Sequence, residues 1–148
     1  MIIIGIDQSL TNFAYTVLDN SGVSETGIFK SKMRGVERLF DIKGFLVSLL
    51  NKHNPDIVGI EGYAYGRIFR AHDMGELAGM LKMTLKENNI EYLIVSPTHL
   101  KKFVTGKGNA SKELMIESVN TKWGFETSND NIADSFSIAK FVEIGETR

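Results

Sequence analysis

Three carboxylates stand where an unpaired negative charge is costly. Asp7 directly follows the apolar run of residues 1–6, and Glu61 ends a second short apolar run, residues 57–60. Both runs are typical of strands buried on both faces of a sheet. Asp134 lies among small and apolar residues near the start of the last predicted helix. Isolated buried carboxylates are strongly unfavourable, and three together repel one another unless one keeps its proton.

These three acids favour a site for hard divalent cations. Mg²⁺ prefers carboxylate and water oxygens, and two ions about 3.5–4 Å apart suit cleavage of a phosphodiester bond. Each acid also has a simpler interpretation when it is taken alone. Asp7 is as well explained as a turn residue, and Asp130 as an ordinary acid in the first turn of a helix. The repeated pattern of an apolar strand followed by an acid favours the metal site, and we predict that Asp7, Glu61 and Asp134 meet.

A basic strip, which we call the lysine strip, lies between Thr98 and Lys122, on a chain whose formal net charge is -1. It contains five lysines against two glutamates, namely Lys101, Lys102, Lys107, Lys112 and Lys122 against Glu113 and Glu117. The loop of residues 106–108 allows close approach of a phosphate, and the helix after Ser111 offers free N–H groups. A flexible surface turn is the alternative. The loop lacks the spacing of a P-loop.

An aromatic loop directly follows Glu61. Tyr63 and Tyr65 are candidates for stacking on unpaired bases, although ordinary packing explains them nearly as well. Arg67 is predicted to face a phosphate backbone or solvent.

The order of predicted elements determines how these residues are positioned. Strands are predicted at residues 1–6, 12–18, 23–29, 57–60 and 91–95, and helices at 34–53, 71–86, 97–103, 112–122 and 130–143. This order predicts an α/β fold with a mixed five-stranded sheet, an antiparallel meander plus parallel strands, and helices on both faces. Sites in such sheets gather at the carboxyl ends of strands, where Asp7 and Glu61 lie. Ala133 and Ala139 allow the last helix to pack closely on the sheet.

Composition excludes several classes of site. The 148 residues predict one domain, residues 1–148, and the absence of cysteine excludes disulfides, thiolate metal sites and a cysteine nucleophile. Without a signal segment or a long apolar run, we expect a cytoplasmic protein with no membrane association.

The chain resembles the RuvC-family Holliday junction resolvases, within the RNase H-like nuclease superfamily. Four blocks in order support the resemblance, which covers nearly the whole chain: residues 5–9, 56–61, 97–112 and 132–139. It implies an RNase H-like fold and a metal-dependent, structure-selective endodeoxyribonuclease that resolves four-way DNA junctions by paired symmetric nicks.

The resemblance also implies roles for individual residues. Asp7, Glu61 and Asp134 would hold two Mg²⁺ or Mn²⁺ ions. A fourth acid is expected three residues before the last of these, where this chain has Asn131; its amide oxygen could bind a metal without charge, and the neighbouring Asp130 is the favoured substitute. Lysines at the positions of Lys101 and Lys112 are expected to contact DNA near the scissile bond. An aromatic is expected at the position of Ala64, so the match of Tyr63 and Tyr65 is inexact.

A homodimer is a further implication. Gly75 and Gly79 stand four residues apart in a predicted helix, where glycine costs about 1 kcal/mol relative to alanine. Close helix packing explains them, either on the sheet of one subunit or, as the resemblance indicates, between two subunits. A symmetric junction needs two active sites. The host would be a bacterium, or a bacterium carrying the phage that encodes the protein.

Three alternatives remain open. Residues 5–11 also resemble the first phosphate motif of the sugar kinase and actin-like ATPase superfamily. That fold needs two such domains and a second glycine-rich loop, so no nucleotide cofactor is expected. Asn131 in place of an acid is compatible with a junction-binding protein that does not cut. A nuclease with broader activity on branched DNA fits the same residues.

Overall fold

The computed structural model describes residues 1–62 and 71–145. Five strands and five helices follow one another in the predicted order. They are β1 (Ile3–Asp7), β2 (Phe13–Asp19), β3 (Gly22–Phe29), α1 (Gly35–His53), β4 (Ile57–Glu61), α2 (Ala71–Glu87), β5 (Glu91–Val95), α3 (Pro97–Thr105), α4 (Lys112–Trp123) and α5 (Asp130–Ile144). The predicted bounds are confirmed to within two residues. The largest difference at a strand is in β1, which starts at residue 3 and leaves Met1 and Ile2 outside the sheet.

The sheet is mixed, as predicted, with the strand order β3-β2-β1-β4-β5. β1 pairs antiparallel with β2, and β2 with β3, whereas β1 pairs parallel with β4, and β4 with β5. The central position of β1 explains its unbroken apolar sequence. Because β1, β3, β4 and β5 run in the same direction, their carboxyl ends lie at one edge of the sheet, which we call the active edge.

Helices cover both faces of the sheet. α3, α4 and α5 enclose one apolar core around Phe136 and Ile138, and α1 and α2 enclose the other around Leu46 and Leu81. Burial on both faces provides most of the hydrophobic stabilisation of such a sheet.

Close approach of α5 to the sheet depends on small residues. A Cβ atom on Gly5 would collide with the carbonyl oxygen of Ser135 and lie 2.6 Å from the backbone nitrogen of Ala139. Ala133 and Ala139 are fully buried, which confirms the predicted close packing of this helix.

Side-chain caps set where the helices at the active edge begin. Ser111 caps α4 as predicted, accepting a hydrogen bond of 3.2 Å from the backbone nitrogen of Leu114. Asn129 caps α5 in the same way through Ile132, at 3.1 Å. These caps place Asp130 in the first turn of α5 and Asp134 in the second. None of the helices in the described part of the chain is both long and apolar enough to span a membrane.

Candidate active site

Asp7, Glu61 and Asp134 converge at the active edge. Each offers one carboxylate oxygen, and these three oxygens all lie within 4.8 Å of one another. The Asp7 side chain is buried, with the residue 7% exposed, and the other two acids are half-buried. The sequence prediction that the three meet is therefore confirmed as geometry, and their roles as ligands remain a prediction.

Strand register places the first two acids together. In the parallel pair of β1 and β4, Ile6 lies opposite Ile60, so the following residues, Asp7 and Glu61, are neighbours. Side chains alternate along a strand, and Asp7 therefore shares the α5-facing side with Gly5. Because Gly5 has no side chain, α5 comes close enough to bring Asp134 to the pair.

The pKa values of Asp7 and Glu61 are both raised. Burial, followed by charge repulsion from Glu61 and a side-chain hydrogen bond shared with it, raises the pKa of Asp7 to about 10. Burial also raises the pKa of Glu61, although its hydrogen bond with Asp7 and the Lys101 ammonium act in the opposite direction. Without a cation, a proton shared by the Asp7 and Glu61 carboxyl groups relieves this repulsion.

Asp134 is perturbed in the same direction. Burial and, after it, the charges of Glu61 and Asp130 raise its pKa to about 7 against the opposing effect of Lys101 and Lys112. Among the described residues, no cation forms an ion pair with any of the three carboxylates. Three converging, uncompensated oxygen ligands fit a hard divalent cation, which would take the place of the shared proton.

The fourth predicted ligand, Asp130 or Asn131, lies outside the group of three carboxylates. Asp130 raises the pKa of both Asp7 and Asp134, so it lies within electrostatic range. Its Oδ2 atom, however, is 3.2 Å from Nζ of Lys112, and it is not part of the three-carboxylate group. Asn131 follows it in the first turn of α5 and is half-buried. The choice between Asp130 and Asn131 stays a prediction.

The sequence of this chain matches a known family model over almost its entire length. Residues 3–140 match the model described as Crossover junction endodeoxyribonuclease RuvC. The chain belongs to the RuvC family. RuvC of Brachyspira hyodysenteriae is 32% identical over 150 residues, which cover 94% of this chain and 91% of that protein. These matches confirm the resemblance and the assignment as a crossover junction endodeoxyribonuclease.

Solved RuvC structures share the fold. Thermus thermophilus RuvC superposes with a TM-score of 0.80 at 21% identity, covering 98% of this chain and 97% of that one. The same protein in complex with a Holliday junction substrate gives a TM-score of 0.80 at 23% identity, covering 94% and 90%. The predicted RNase H-like architecture is confirmed.

The five lysines of the lysine strip fall into three groups. Lys101 and Lys112 lie near the acids, since both lower the pKa of Asp134. Lys102 and Lys107 are exposed at the end of α3 and in the loop that follows. Lys122, in contrast, donates from Nζ to the carbonyl oxygen of Phe103 at 2.9 Å and lies over the Trp123 ring. It stabilises the packing of α4 on α3 at the last turn of α4, away from the Ser111 end.

The loop of residues 106–108 is a structured turn. Gly106 ends α3 with a φ of 83°, a conformation that favours glycine. A Cβ atom on Gly108 would lie 2.8 Å from Cγ2 of Thr98, and the Thr105 hydroxyl accepts a hydrogen bond from the Lys107 backbone. Packing and hydrogen bonds give the loop a defined conformation, and the alternative of a flexible surface turn stays open. Phosphate binding there stays a prediction.

Tyr63, Tyr65 and Arg67 lie outside the described residues, so the stacking and backbone-contact predictions are not addressed by the structure.

Sequence reasoning missed two supports of the site. Gln8 is 7% exposed, and its Nε2 donates to the backbone oxygen of Glu61 at 2.7 Å, which ties the ends of β1 and β4 together. Its Oε1 is buried and has no hydrogen-bond partner in the described part of the chain. Thr16 and Ser135 share a buried hydroxyl hydrogen bond of 2.8 Å that anchors α5 on β2. The available signals were a polar side chain directly after a buried strand, for Gln8, and one inside a largely apolar helix, for Ser135.

Proposed function

We propose that this RuvC-family protein is a metal-dependent, structure-selective endodeoxyribonuclease that resolves four-way DNA junctions by paired symmetric nicks. One nuclease domain, residues 1–148, would carry the activity. The observation that supports the proposal best is the convergence of Asp7, Glu61 and Asp134 within 4.8 Å in a chain that matches the family from residue 3 to 140. The Holliday junction bound to T. thermophilus RuvC supports a junction as the DNA partner.

Asp7, Glu61 and Asp134 would hold Mg²⁺, with Mn²⁺ as a substitute, and Asp130 or Asn131 would complete a site for two ions. When bound, the cations supply Lewis-acid stabilisation of the phosphate and a water molecule activated for attack. The protein prepares this site by keeping the three carboxylates close together and partly buried, which raises the pKa of Asp7. Gln8 keeps Glu61 in register with Asp7 by its hydrogen bond to the Glu61 backbone.

The lysines would hold the DNA at this site. Lys101 lies within electrostatic range of both Glu61 and Asp134, where a scissile phosphate would need a positive neighbour. Lys112 is 77% exposed at its side chain and can leave Asp130 for a phosphate, because an exposed ion pair contributes little stability. Lys102 and Lys107 would contact the adjacent backbone. Tyr63 and Tyr65 remain candidates for stacking on opened bases, and Arg67 for a phosphate contact.

Replacing one acid tests the proposed function. Glu61→Gln should abolish cleavage of a four-way junction in Mg²⁺ while junction binding in EDTA is retained, because the amide keeps the shape but not the charge. Gel electrophoresis of end-labelled junctions measures the first and a band-shift titration the second. Glu117→Gln is the matched control, since Glu117 is exposed on α4.

The outcome separates the proposal from its alternatives. Wild-type protein that binds junctions without cutting them in Mg²⁺ or Mn²⁺ would favour the non-cleaving binding protein. Equal cutting of flaps, forks and four-way junctions would favour the broader branched-DNA nuclease. Cleavage retained by Glu61→Gln would rule out the three-acid site.

The homodimer stays part of the proposal. Gly75, Gly79 and Met83 recur every four residues along α2 and are exposed. Within the described part of the chain, a Cβ atom on either glycine would meet nothing within 4 Å, so packing among these residues does not explain them. This stripe would let a second copy approach the helix backbone closely. We further propose a cytoplasmic location in a bacterium or a phage-infected bacterium, since the relatives named above are bacterial.

A further inference from the structure

A second group of cations lies at the active edge, outside the lysine strip. Residues 30–41 connect β3 to the first turns of α1 and contain Lys30, Lys32, Arg34 and Arg38 against Glu37 and Asp41. We call the four cations the β3–α1 basic segment. A chain with a net charge of -1 gives no general reason for such a local excess.

Three of the four cations are available to a ligand. Lys30, Lys32 and Arg34 are exposed, and within the described part of the chain none of them forms an ion pair or a side-chain hydrogen bond. Arg38 is half-buried and donates from Nε to the carbonyl oxygen of Met33 at 2.9 Å. Arg38 therefore shapes the segment, and the other three present charge to solvent.

The segment has a defined conformation. The Ser31 hydroxyl donates to the Asp41 carboxylate and accepts a hydrogen bond of 3.0 Å from the Met33 backbone. Gly35 follows with a φ of 57° as the first residue of α1. Asp41 is thus held inside the connection by Ser31, and with Glu37 it leaves the connection a formal excess of two positive charges.

Topology places the segment on the opposite flank of the acids from the lysine strip. β3 ends at the active edge because Phe29 pairs with Phe13, and Ala14, the next residue, pairs with Asp7. The lysine strip instead follows β5, at the other side of the sheet. A hollow of about 190 Å³ connects the segment to the loop after Asp7, since Leu10 and Arg34 both line it.

Two further features of the surface decide which ligand fits. Arg34, the N-cap residue of α1, makes no side-chain cap, so the first N–H groups of the helix add positive potential beside the lysines. Asp73 and Glu76 of α2 line the same hollow, which makes its inner side less favourable for an anion. The favourable surface is therefore the outer one, formed by Lys30, Lys32 and the start of α1, and it suits an extended polyanion that passes over it.

We propose that the β3–α1 basic segment binds the phosphate backbone of one duplex arm of the DNA substrate, while the lysine strip holds the strand at the acids. This inference rests on the proposed function for the identity of the DNA. A four-way junction extends arms away from its centre on several sides, so a protein with its acids at the middle of the edge needs cations on both flanks.

The double substitution K30Q/K32Q tests the inference, with K43Q/K52Q as the control. The control removes the same charge from α1, at sites that form surface ion pairs with Glu87 and Glu25. Binding to a four-way junction is measured in EDTA by fluorescence anisotropy between about 50 and 200 mM salt, where each lost phosphate contact lowers the slope of log K against log salt by about 0.9.

We expect K30Q/K32Q to lower the slope by nearly two such contacts and to weaken binding about tenfold near physiological salt, with the control unchanged. The difference from wild type should vanish when the arms are too short to reach the segment. An unchanged slope, or a loss that persists with the shortest arms, would overturn the inference.

A cleavage assay distinguishes failure of the arm-binding inference from failure of the proposed nuclease function. At saturating junction and Mg²⁺, K30Q/K32Q should nick at the wild-type rate, because the acids and Lys101 are untouched. A lower rate at saturation would place the two lysines in the reaction itself and overturn an arm-binding role. The binding measurement in EDTA keeps its meaning even for a protein that does not cut.

Discussion

At the scale of single residues, the dominant physical feature is a group of carboxylates that cannot all ionise. Burial supplies the largest part of the pKa shift at Asp7, Glu61 and Asp134, and mutual repulsion at Asp7 and Asp134 adds to it. A carboxyl group with a raised folded-state pKa binds more protons in the folded state than in the unfolded one. The stability of the metal-free protein should therefore fall as the pH rises from about 4 towards 10.

Asp7→Asn should reduce this pH dependence, since an amide has no proton to lose and relieves the repulsion of Glu61. We expect a higher melting temperature than wild type in EDTA at pH 8, with the two proteins closer together at pH 5. Added Mg²⁺ should raise the melting temperature of wild type and have little effect on the variant. Thermal melts in both conditions measure this. A variant less stable than wild type at pH 8 in EDTA would contradict the burial argument.

The pKa of Glu25 is shifted in the opposite direction, downwards. Hydrogen bonds from Lys52, Tyr15 and His53 lower its pKa to about 2 against the opposing effect of burial. Its contribution to the stability of the folded state is present above the ordinary glutamate pKa and is lost as the pH falls from about 4.5 towards 2.

Glu25→Gln should therefore destabilise the protein near neutral pH by about 1 kcal/mol, a modest value because the side chain is 26% exposed. The difference from wild type should shrink as the pH falls through this window. Urea unfolding at pH 7 and pH 3 measures it, and a difference that grows in acid would refute the assignment.

At the scale of elements, the fit of α5 on β1 determines whether the acids meet. The carbonyl oxygen of Ser135 and the backbone of Ala139 occupy the space where a side chain at residue 5 would be. Backbone atoms of a buried helix cannot move aside without shifting the whole helix. Asp134 would move with it.

Gly5→Ala should consequently destabilise the protein by about 3 kcal/mol, at the upper end of overpacking effects, and should weaken the stabilisation by Mg²⁺. Gly44→Ala is the matched control, since a Cβ atom there meets nothing within 4 Å in the middle of α1. The control should stabilise by up to about 1 kcal/mol. Urea unfolding of both variants gives the two free energies. Equal effects would show that α5 does not constrain residue 5.

At the scale of the whole molecule, positive potential at the active edge coexists with a near-neutral total charge. The lysine strip and the β3–α1 basic segment flank the acids, while the chain as a whole carries a formal net charge of -1. The exposed stripe on α2 offers a surface through which two such molecules could present two active edges to one junction.

Gly79→Leu should therefore disrupt the paired cleavage, so that one junction receives a single nick instead of two in one binding event. A Cβ atom at residue 79 meets nothing within 4 Å among the residues that the structure describes, so the fold is expected to tolerate the leucine, while a closely packed second copy would not. On a supercoiled plasmid with a cruciform, wild type should give mainly linear product and the variant mainly nicked circles. Gly44→Leu serves as the control, and sedimentation velocity reports the oligomeric state. Linear product from the variant would exclude this stripe as the dimer contact.

The sequence by itself determined the order and bounds of the elements, because buried strands and amphipathic helices each leave a local pattern. It also pointed to the acids, because Asp7 and Glu61 each end an apolar strand. Tertiary structure decided what local patterns cannot contain. Gln8 and Ser135 support the site through partners 53 and 119 positions away in the chain, and the contact of Lys122 with Phe103 depends on how two helices pack. The pairing of Asp130 with Lys112, likewise, follows from the packing of α4 beside α5.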